Sequence, residues 1–349
     1  MALKFGILGA GMISGLHADA LRHSAKARLV AVADVDKGRA EKLASEYAPG
    51  AKAYATLAEM LADPEVEAVS VVTPNHLHTD AVLAIAKAGK HVLCEKPPAM
   101  SLKETDAMMS ACAKAGVKFG IFVQCRIRVP IQQMKKALAE GRFGKVLRAD
   151  AVMKWYRAGD YYKRDAWRSD RKSGAGVTIQ HAFHYIDLLQ YLMGPARQVS
   201  ASMCNLAHPD VYLEDTLEAS IVFETGVKGT VQASTAMWPG SDVRIEIYGE
   251  KGCAIMEGAA FKLWQFQEER PEDGKIRSMG DSQQATAGGS TTALAYADHQ
   301  VVYDDCADAV AHGREVVIPC AAVRPSLEMA LSMYKSAKTG SATTLPLAD

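Results

Sequence analysis

The sequence has no excess of either charge, because 40 lysines and arginines balance 40 aspartates and glutamates among its 349 residues. This balance gives no reason to expect a nucleic acid or an anionic membrane as a partner, and a small, weakly charged ligand fits better. Long apolar runs are also missing, since none approaches the roughly 20 residues that cross a bilayer. The apolar stretch after Lys4 is too short for the core of a secretory signal. We therefore expect a soluble, intracellular protein.

Closely spaced cysteines, which would indicate a zinc site or a redox motif, are absent as well. The seven cysteines are spread along the chain at Cys94, Cys112, Cys125, Cys204, Cys253, Cys306 and Cys320. This spacing is typical of reduced packing residues in a cytoplasmic protein. His76 and His78 could be metal ligands, but no third ligand follows at a diagnostic distance, and a helix-entry loop is the better interpretation. The sequence thus predicts no bound metal.

The first 125 residues alternate between short apolar strands and helices. Strands are predicted at Leu3–Leu8, Leu29–Ala33, Ala68–Val72, His91–Cys94 and Lys118–Val123. Helices are predicted at Ser14–His23, Lys37–Tyr47, Leu57–Ala62, Thr79–Ala88 and Ser101–Ala115. This alternation is typical of a parallel sheet covered on both faces. Since the chain exceeds the usual size of one core, we predict two domains, the first a doubly wound α/β domain over residues 1–125.

The second predicted domain, residues 126–349, has a different pattern. Strand-like runs joined by turn signals occur at Val146–Trp155, Leu217–Phe223, Val227–Thr235 and Arg244–Tyr248. They predict an α+β domain built on an open, mainly antiparallel sheet. One long helix is predicted from about Val177 to Met193, where Gly194-Pro195 ends it.

Two further segments of this domain carry predictions. The polar stretch from Glu268 to Thr292 is expected to be a mobile loop. Near the end of the chain, Leu327, Leu331 and Tyr334 mark one face of a helix over about 325–338. We expect this helix to pack back on the first domain.

A glycine turn, Gly9-Ala10-Gly11, lies between the first predicted strand and the first predicted helix. A strand, turn and helix of this kind can bind a dinucleotide pyrophosphate on the helix N-terminal amides. The third position of the motif, where glycine permits close packing of helix and strand, is Ser14. The motif alone is a weak signal, and its alternative is an ordinary strand-to-helix turn.

Asp34 strengthens the dinucleotide interpretation. It follows the second predicted strand, where a carboxylate accepts hydrogen bonds from the adenosine ribose hydroxyls. Because a carboxylate repels a 2′-phosphate, the predicted cofactor is NAD, with NADP less favoured. The nearby Lys37 and Arg39 weaken that preference.

Lys96 follows another apolar strand, in the segment Glu95-Lys96-Pro97-Pro98. Ligands bind outside the carboxyl ends of parallel strands, where we expect both this segment and the earlier Thr73-Pro74-Asn75-His76-Leu77-His78. Because Pro97 stiffens the backbone, Lys96 is predicted to face the crevice as a positioned cation. The alternative is an exposed lysine paired with Glu95.

The long helix carries a polar stripe. Gln180, His181, His184 and Asp187 fall at i, i+1, i+4 and i+7, so one continuous helix would place them on one side. An apolar side is defined by Ile179, Phe183, Ile186 and Met193. For His184 alone, a structural histidine is the alternative to a functional one.

These motifs together resemble those of the Gfo/Idh/MocA family, named for glucose-fructose oxidoreductase and inositol dehydrogenase. The resemblance covers nearly the whole chain. It rests on Gly9 to Gly15, Ala33-Asp34, Thr73-Pro74-Asn75, Glu95-Lys96-Pro97, Gly174-Ala175-Gly176 leading into His184 and Asp187, and Pro325 to Pro346. It implies an N-terminal Rossmann domain, a C-terminal domain with an open sheet often used for oligomerisation, and a sugar-like or cyclitol substrate.

The resemblance also implies a catalytic pair. The usual lysine and histidine of the family correspond to Lys96 and His184, while Gln180 stands where many members carry an aspartate. An amide can hydrogen-bond a substrate hydroxyl or orient the imidazole, but it adds no negative charge that would stabilise an imidazolium. We therefore expect His184 to be a weaker proton acceptor than in the aspartate-bearing members.

An aromatic and basic segment precedes the long helix and consists of Tyr161, Tyr162, Arg164, Trp167 and Arg168. Aromatic rings pack on the C–H faces of sugars and arginines reach hydroxyl or carboxylate groups, so a sugar-contacting loop is one interpretation. A solvent loop or subunit contact is the other. The arginines leave an acidic or phosphorylated sugar open as the substrate.

The predicted cofactor-binding residues are Gly9, Gly11, Met12, Ile13, Asp34, Thr73, Pro74, Asn75, His78, Glu95 and Lys96. The predicted substrate-binding residues are Lys96, Arg126, Tyr162, Trp167, Arg168, Gln180, His181 and His184. The predicted function is NAD-dependent oxidation of a secondary alcohol of a sugar, sugar acid or inositol by a homo-oligomer. Two alternatives remain: a tightly held NAD recycled within one cycle, as in a sugar–sugar oxidoreductase or an NAD-dependent glycosidase, and a non-catalytic dinucleotide or sugar sensor.

Overall fold

The computed structural model describes residues 2–170, 173–174, 176–280 and 296–347. Its contacts divide the chain into two compact units: Met1–Gln124 with Ala295–Arg324, and Cys125–Leu294 with Pro325–Asp349. The sequence predicts a boundary at residue 125 and a return to the first domain at about 325–338. In the structure the later residues that cluster with the first unit are those of 295–324, and residues from 325 onward cluster with the second.

The first unit contains a six-stranded parallel sheet in the order β3-β2-β1-β4-β5-β6, which confirms the predicted doubly wound Rossmann sheet. Its strands are β1 (Leu3–Leu8), β2 (Ala27–Ala33), β3 (Lys52–Tyr54), β4 (Ala68–Val71), β5 (His91–Glu95) and β6 (Phe119–Phe122). Strand β3 was not predicted, because its three residues include none that is fully buried.

The helices of this part of the chain are α1 (Ser14–His23), α2 (Lys37–Tyr47), α3 (Leu57–Ala62), α4 (His78–Lys87) and α5 (Leu102–Ala115). Local sequence determines several of their ends. The Asp36 carboxylate caps α2, a Thr56–Glu59 capping box begins α3, and Ser101 caps α5, which ends at the left-handed Gly116. The predicted bounds of α1, α2 and α3 agree with the structure.

The second unit contains an eight-stranded sheet in the order β13-β12-β11-β7-β10-β9-β8-β14. Its strands are β7 (Val146–Lys154), β8 (Ala196–Cys204), β9 (Thr216–Phe223), β10 (Lys228–Ser234), β11 (Arg244–Gly249), β12 (Gly252–Glu257), β13 (Ala260–Phe266) and β14 (Thr343–Thr344). Among the described strands of this second sheet only β7 and β10 pair in parallel, so the predicted open, mainly antiparallel sheet is confirmed.

The remaining helices are α6 (Val129–Ala139), α7 (Gly159–Lys163), α8 (Val177–Gln180), α9 (Phe183–Met193), α10 (Asp273–Arg277), α11 (Ala297–His312) and α12 (Cys320–Thr339). Helix α11 belongs to the first unit, and α12 begins there and continues into the second. Helix α10 lies inside the predicted mobile loop, so that prediction is wrong for residues 273–277. Residues 281–292 of the loop, and Ala175 of the glycine motif, lie outside the described residues.

The prediction of one helix over Val177–Met193 is wrong, because α8 and α9 are separate. The N–H of Ala182 donates to the carbonyl of Val177, five residues earlier, at 2.8 Å, instead of to the residue four earlier. This one-residue offset interrupts the helical period. The shared face inferred from a continuous helix therefore does not extend from Gln180 to Asp187.

None of the helices in the described part of the chain is both long enough and apolar enough to span a membrane.

Candidate functional site

The glycine turn after β1 has the geometry of a dinucleotide-binding turn. Gly9 has a φ of +100°, and a Cβ there would lie 2.7 Å from the carbonyl oxygen of Val72, so the position requires glycine. A Cβ at Gly11 would meet no heavy atom of the described residues within 4 Å. The turn therefore packs tightly against the protein backbone at Gly9, whereas the space beside Gly11 allows a pyrophosphate to approach closely. Met12 is exposed and Ile13 half-buried at the start of α1.

The serine at the third motif position is accommodated by a hydrogen bond. Ser14 is buried, and its Oγ donates to the carbonyl of Gly11 at 2.6 Å. The hydroxyl thus bonds within the turn instead of separating α1 from the sheet. The departure from the glycine pattern therefore does not disrupt the turn.

Asp34 reaches the same turn from the end of β2. Its Oδ2 accepts from the Ala10 N–H at 2.7 Å, and its Oδ1 accepts from the Asp36 N–H at 2.8 Å. A carboxylate has about four acceptor positions, so two stay available for ribose hydroxyls. Lys37 and Arg39 are exposed in the first turn of α2. Each forms an ion pair there, Lys37 with Glu41 and Arg39 with Asp36. These partners reduce the attraction that the two cations could offer a 2′-phosphate.

His78 joins the two loops predicted to meet the cofactor. Its Nδ1 lies 2.9 Å from the carbonyl of Pro97, and its Nε2 lies 3.0 Å from the carbonyl of Thr73. The ring is fully buried, and burial lowers the pKa of His78. A neutral ring carries one N–H and donates to one of these two carbonyls, so His78 bridges the Thr73 and Pro97 loops through one hydrogen bond and one close contact. Pro74 and Asn75 continue the first of these loops, with Asn75 buried.

Glu95 is the centre of a buried polar network that the sequence did not predict. Its Oε1 lies 3.0 Å from Nε2 of His17, and its Oε2 accepts from the backbone N–H of Lys96 at 3.1 Å. Nδ1 of His17 lies 3.0 Å from the hydroxyl of Tyr303, which lies 2.8 Å from Oγ of Ser70. His17 lies on the buried face of α1. Its place in the helical period is the sequence signal that could have indicated a buried histidine here.

The charges in this network are set by burial and hydrogen bonds. Burial by itself raises the pKa of Glu95, but His17 and His299 outweigh it and hold that pKa well below its ordinary value. Burial lowers the pKa of His17, against the opposing effect of Glu95. A carboxylate beside a neutral His17 imidazole results. The adjacent Lys96 is half-buried at the carboxyl end of β5.

In the second unit, Glu214 holds the beginning of α8. Its Oε1 accepts from the Thr178 N–H at 3.2 Å and from the Tyr334 hydroxyl at 2.6 Å. A Cβ on Gly176 would lie 2.1 Å from this oxygen, so only glycine leaves room for the carboxylate. Glu214 therefore determines where α8, and with it Gln180, begins.

Arg126 and Asp187 hold α9. Arg126, which is predicted to contact substrate, forms two hydrogen bonds from its guanidinium to Asp187, at 2.7 and 2.6 Å, and both residues are buried. Ser326 donates a further bond to Asp187 Oδ1 at 2.7 Å. His184 lies in the first turn of α9 and is half-buried, as is Gln180 at the end of α8. The ion pair fixes the helix that carries His184.

The aromatic and basic segment is organised around Arg168. The guanidinium lies 4.6 Å from the ring centre of Tyr161 and 4.5 Å from that of Trp167, and it donates to the Tyr161 hydroxyl at 2.7 Å. Arg168 is buried and also donates to Asp165. The structure thus gives Arg168 the role of ordering the segment, with Trp167 left half-buried.

Tyr162 and His181, two predicted substrate-binding residues, are both buried. The Tyr162 hydroxyl hydrogen-bonds Oγ1 of Thr235 at 2.8 Å, and burial raises the pKa of this tyrosine to about 12. His181 is buried against the rings of Tyr161 and Trp155. Both side chains contact Tyr161 of the segment, and Gln180, His184 and Trp167 are the more accessible of the predicted residues.

Known proteins share this architecture. Residues 3–123 match the oxidoreductase family with an NAD-binding Rossmann fold, and residues 131–255 match the GFO/IDH/MocA C-terminal domain. The myo-inositol 2-dehydrogenase of Thermotoga maritima is 31% identical over 256 residues, which cover 72% of this chain and 74% of that protein. The scyllo-inositol 2-dehydrogenase (NAD(+)) of Bacillus subtilis is 30% identical, covering 72% of both chains.

A solved structure matches the whole length. The WlbA dehydrogenase from Bordetella pertussis, in complex with NADH and UDP-GlcNAcA, superposes with a TM-score of 0.88 at 29% identity and covers 100% of both chains. This similarity extends over both sheets and includes the segments that contain the glycine turn and Asp34. The chain belongs to the Gfo/Idh/MocA family and is an NAD-binding oxidoreductase.

Proposed function

We propose that the protein oxidises a secondary alcohol of a sugar, sugar acid or inositol with NAD. The observation that carries the proposal is the order of three neighbouring strands. Strands β1, β4 and β5 are adjacent and parallel, and their carboxyl ends lead into Gly9, Thr73 and Lys96. A dinucleotide turn and a lysine thus share one sheet edge, the edge where ligands bind in such folds.

The cofactor residues proposed from the sequence fit this edge. Gly9, Gly11 and Asp34 would hold the pyrophosphate and ribose, with Met12 and Ile13 at the start of the helix, while Thr73, Pro74, Asn75 and Glu95 would line the remaining path and His78 would position it. NAD, when bound, supplies the hydride acceptor.

The chain supplies proton transfer and orientation. His184 accepts the proton of the substrate hydroxyl, and Lys96 donates a hydrogen bond to the same oxygen and stabilises its developing charge. Gln180 donates to or accepts from that hydroxyl or its neighbour. Trp167 offers an aromatic face to the sugar, held in place by Arg168.

Among the substrate classes, a nucleotide-linked sugar acid has the strongest support. The complex with UDP-GlcNAcA superposes with a TM-score of 0.88 at 29% identity, whereas a putative myo-inositol dehydrogenase from Sinorhizobium meliloti 1021, which also matches over nearly the full length, superposes with a TM-score of 0.79 at 24% identity. Both classes present a ring carrying secondary alcohols. The substrate panel should therefore contain UDP-linked sugar acids, free sugar acids, free sugars and inositols.

The decisive experiment mixes purified protein with free NAD and this panel and records nicotinamide reduction by absorbance. The wild type should reduce NAD with at least one substrate. Lys96→Ala should lower kcat by about a hundredfold or more, since a positioned donor to a developing oxyanion is lost. The matched control, Lys103→Ala, removes an exposed lysine of α5 and should leave kcat unchanged.

Two outcomes would contradict the proposal. Equal turnover in Lys96→Ala and Lys103→Ala would remove the role given to Lys96. If NAD co-purifies with the protein and does not exchange with free NAD, the recycled-cofactor alternative would be favoured instead.

We also propose a homo-oligomer, a dimer or tetramer, formed through the second sheet. Ser200, Ser220 and Thr230 are paired in register across three strands, and the exposed face there is small and polar. Such a face can pack closely against a second copy. Light scattering should show more than one chain per particle, and Ser220→Arg should reduce that number; a monomeric wild type would contradict the proposal.

A cytoplasmic location is proposed on the state of the cysteines. All seven are unpaired, and Cys94, Cys112, Cys125, Cys306 and Cys320 are buried. Reduced thiols persist in reducing compartments. Cell fractionation with detection of the native chain would test this, and recovery in a secreted fraction would contradict it.

A further inference from the structure

The buried residues around Glu95 do more than fill the core. We infer that His17, Tyr303 and Ser70 form a directed hydrogen-bond chain that positions the Glu95 carboxylate and, through it, the backbone of Lys96. The inference rests on the proposed function, because it assigns positioning residues to the site that contains Lys96. All four side chains and the backbone they act on belong to the first unit.

The directions of the hydrogen bonds follow from elementary chemistry. A carboxylate only accepts, so Nε2 of His17 must carry the proton in its 3.0 Å contact with Glu95. In a neutral ring Nδ1 is then an acceptor, and the Tyr303 hydroxyl must donate to it at 3.0 Å. The Tyr303 oxygen is left to accept from Ser70 at 2.8 Å. Each hydroxyl and the ring N–H donates once, which selects one tautomer of His17.

The chain of bonds joins elements that are distant in sequence. His17 lies on α1, the helix that follows the glycine turn, while Tyr303 lies on α11 and Ser70 on β4. His17, Tyr303 and Ser70 are all 0% exposed. Water therefore cannot replace a missing partner, and removing one donor leaves a buried polar atom unsatisfied. The Lys96 turn thus depends on side chains from three other elements.

A metal ion is the competing explanation for this cluster. His17, Glu95 and His299 offer ligand atoms that all lie within 4.8 Å of one another. Two ligands at metal distances of about 2.0–2.1 Å in a tetrahedral site would be separated by roughly 3.3 Å. The observed 3.0 Å between His17 and Glu95 is a hydrogen-bond distance, while His299 is 3.8 Å from the same oxygen. The distances favour the hydrogen-bond chain.

Three variants test the chain in the full-length protein. Tyr303→Phe removes only the hydroxyl, and His17→Met removes both ring nitrogens while keeping an apolar side chain of similar size. His17→Gln restores an N–H donor toward Glu95. The matched control is Tyr54→Phe, which removes a tyrosine hydroxyl that donates to a different carboxylate of the first unit, Asp63, at 2.8 Å.

The expected kinetic result separates positioning from general damage. Tyr303→Phe should lower kcat roughly tenfold and His17→Met up to about a hundredfold, because buried partners are left unsatisfied beside Lys96. His17→Gln should recover most of the loss. KM for NAD and affinity for ADP-ribose, which binds the glycine turn without a nicotinamide, should stay within about twofold. Equal losses of ADP-ribose affinity and kcat, or no loss in kcat, would overturn the inference.

A measurement that needs no turnover keeps the inference separate from the proposed function. Reductive methylation with ¹³C formaldehyde labels lysines, and the NMR signal of Lys96 is identified by its loss in Lys96→Ala. This signal should shift in His17→Met and Tyr303→Phe and stay in place in Tyr54→Phe. An unmoved signal would overturn the chain even if the enzyme is active, and a shift would support it even if no substrate is found. Metal bound stoichiometrically to purified wild type and lost in His17→Met would establish a metal site instead.

Discussion

Arg126 and Asp187 face each other through two hydrogen bonds inside the second unit, Nε to Oδ2 at 2.7 Å and Nη2 to Oδ1 at 2.6 Å. A bidentate pair of this kind fixes orientation as well as distance. Since Asp187 lies one turn after His184 on α9, the pair determines the direction in which that helix presents the histidine. A buried ion pair thus orients the helix that carries His184.

Asp187→Asn should destabilise the protein strongly. The change leaves Arg126 buried opposite a neutral amide, and breaking a buried pair in this way typically costs about 3–5 kcal/mol. Urea unfolding monitored by fluorescence would measure the loss. The matched control is Glu140→Gln, which breaks an exposed pair of the same unit, Glu140 with Arg270 at 2.5 Å, and should cost about 0–1 kcal/mol. Similar losses in both variants would contradict the role given to the buried pair.

Gly176→Ala should impair the start of α8. The new Cβ would lie 2.1 Å from the Glu214 carboxylate, which must then move away from the Thr178 N–H. We expect kcat/KM to fall about tenfold or more as Gln180 shifts, since small misplacements near a reaction centre are costly. Gly274→Ala, in α10, meets no described heavy atom within 4 Å and should leave kinetics unchanged. Unaltered kinetics in Gly176→Ala would show that α8 tolerates the displacement.

Stability should depend on pH through the buried histidines. Burial lowers the folded-state pKa of both His17 and His78 below the unfolded value of about 6.5. Above that value both states are neutral and the full stability is present. As pH falls below it, the unfolded chain takes up protons that the folded chain does not, so stability is lost down to the folded pKa.

Each histidine contributes a slope of up to about 1.4 kcal/mol per pH unit in that window. Urea midpoints measured from pH 7.5 to 5 should therefore fall more steeply for wild type than for His17→Gln, whose glutamine does not titrate. The control is Tyr54→Phe, which leaves both buried histidines in place and should keep the wild-type slope. Parallel curves for wild type and His17→Gln would contradict a lowered pKa of His17.

The elements predicted correctly from the sequence are those marked by residues only a few positions apart. Helices α1, α2 and α3 were predicted with the observed bounds, because their apolar periodicity and, for α2 and α3, their cap residues are all within a few positions. Helix α11 was not predicted, since its buried face includes His299, Tyr303 and Cys306 rather than a regular apolar stripe. At the break between α8 and α9 the N–H groups of His181 and Ala182 both donate to the Val177 carbonyl, and this arrangement has no sequence signature.

For the candidate site, too, the sequence indicated residues in local motifs and did not indicate contacts between distant segments. Asp34 and Lys96 were proposed as site residues because strand ends and short motifs mark them. The ion pair of Arg126 was not predicted because its partner, Asp187, lies 61 residues later, and pairing at that separation is a property of the folded chain. His17 was missed for the same reason, since its meaning depends on Tyr303 from a distant helix.

Asp34 should control cofactor choice. Asp34→Ser removes a carboxylate that can accept from the ribose hydroxyls, and loss of hydrogen bonds to a charged group should weaken NAD binding by roughly tenfold to a hundredfold. The same change removes repulsion of a 2′-phosphate, so the ratio of NADP to NAD affinity should rise. Calorimetric titration with both cofactors would measure it. The control is Asp106→Asn, which neutralises an exposed aspartate of α5 paired with Arg324, leaves the Arg39–Asp36 pair in place and should leave the ratio unchanged. A ratio that is unaltered in Asp34→Ser would show that other groups select the cofactor, Lys37 and Arg39 being the nearest candidates.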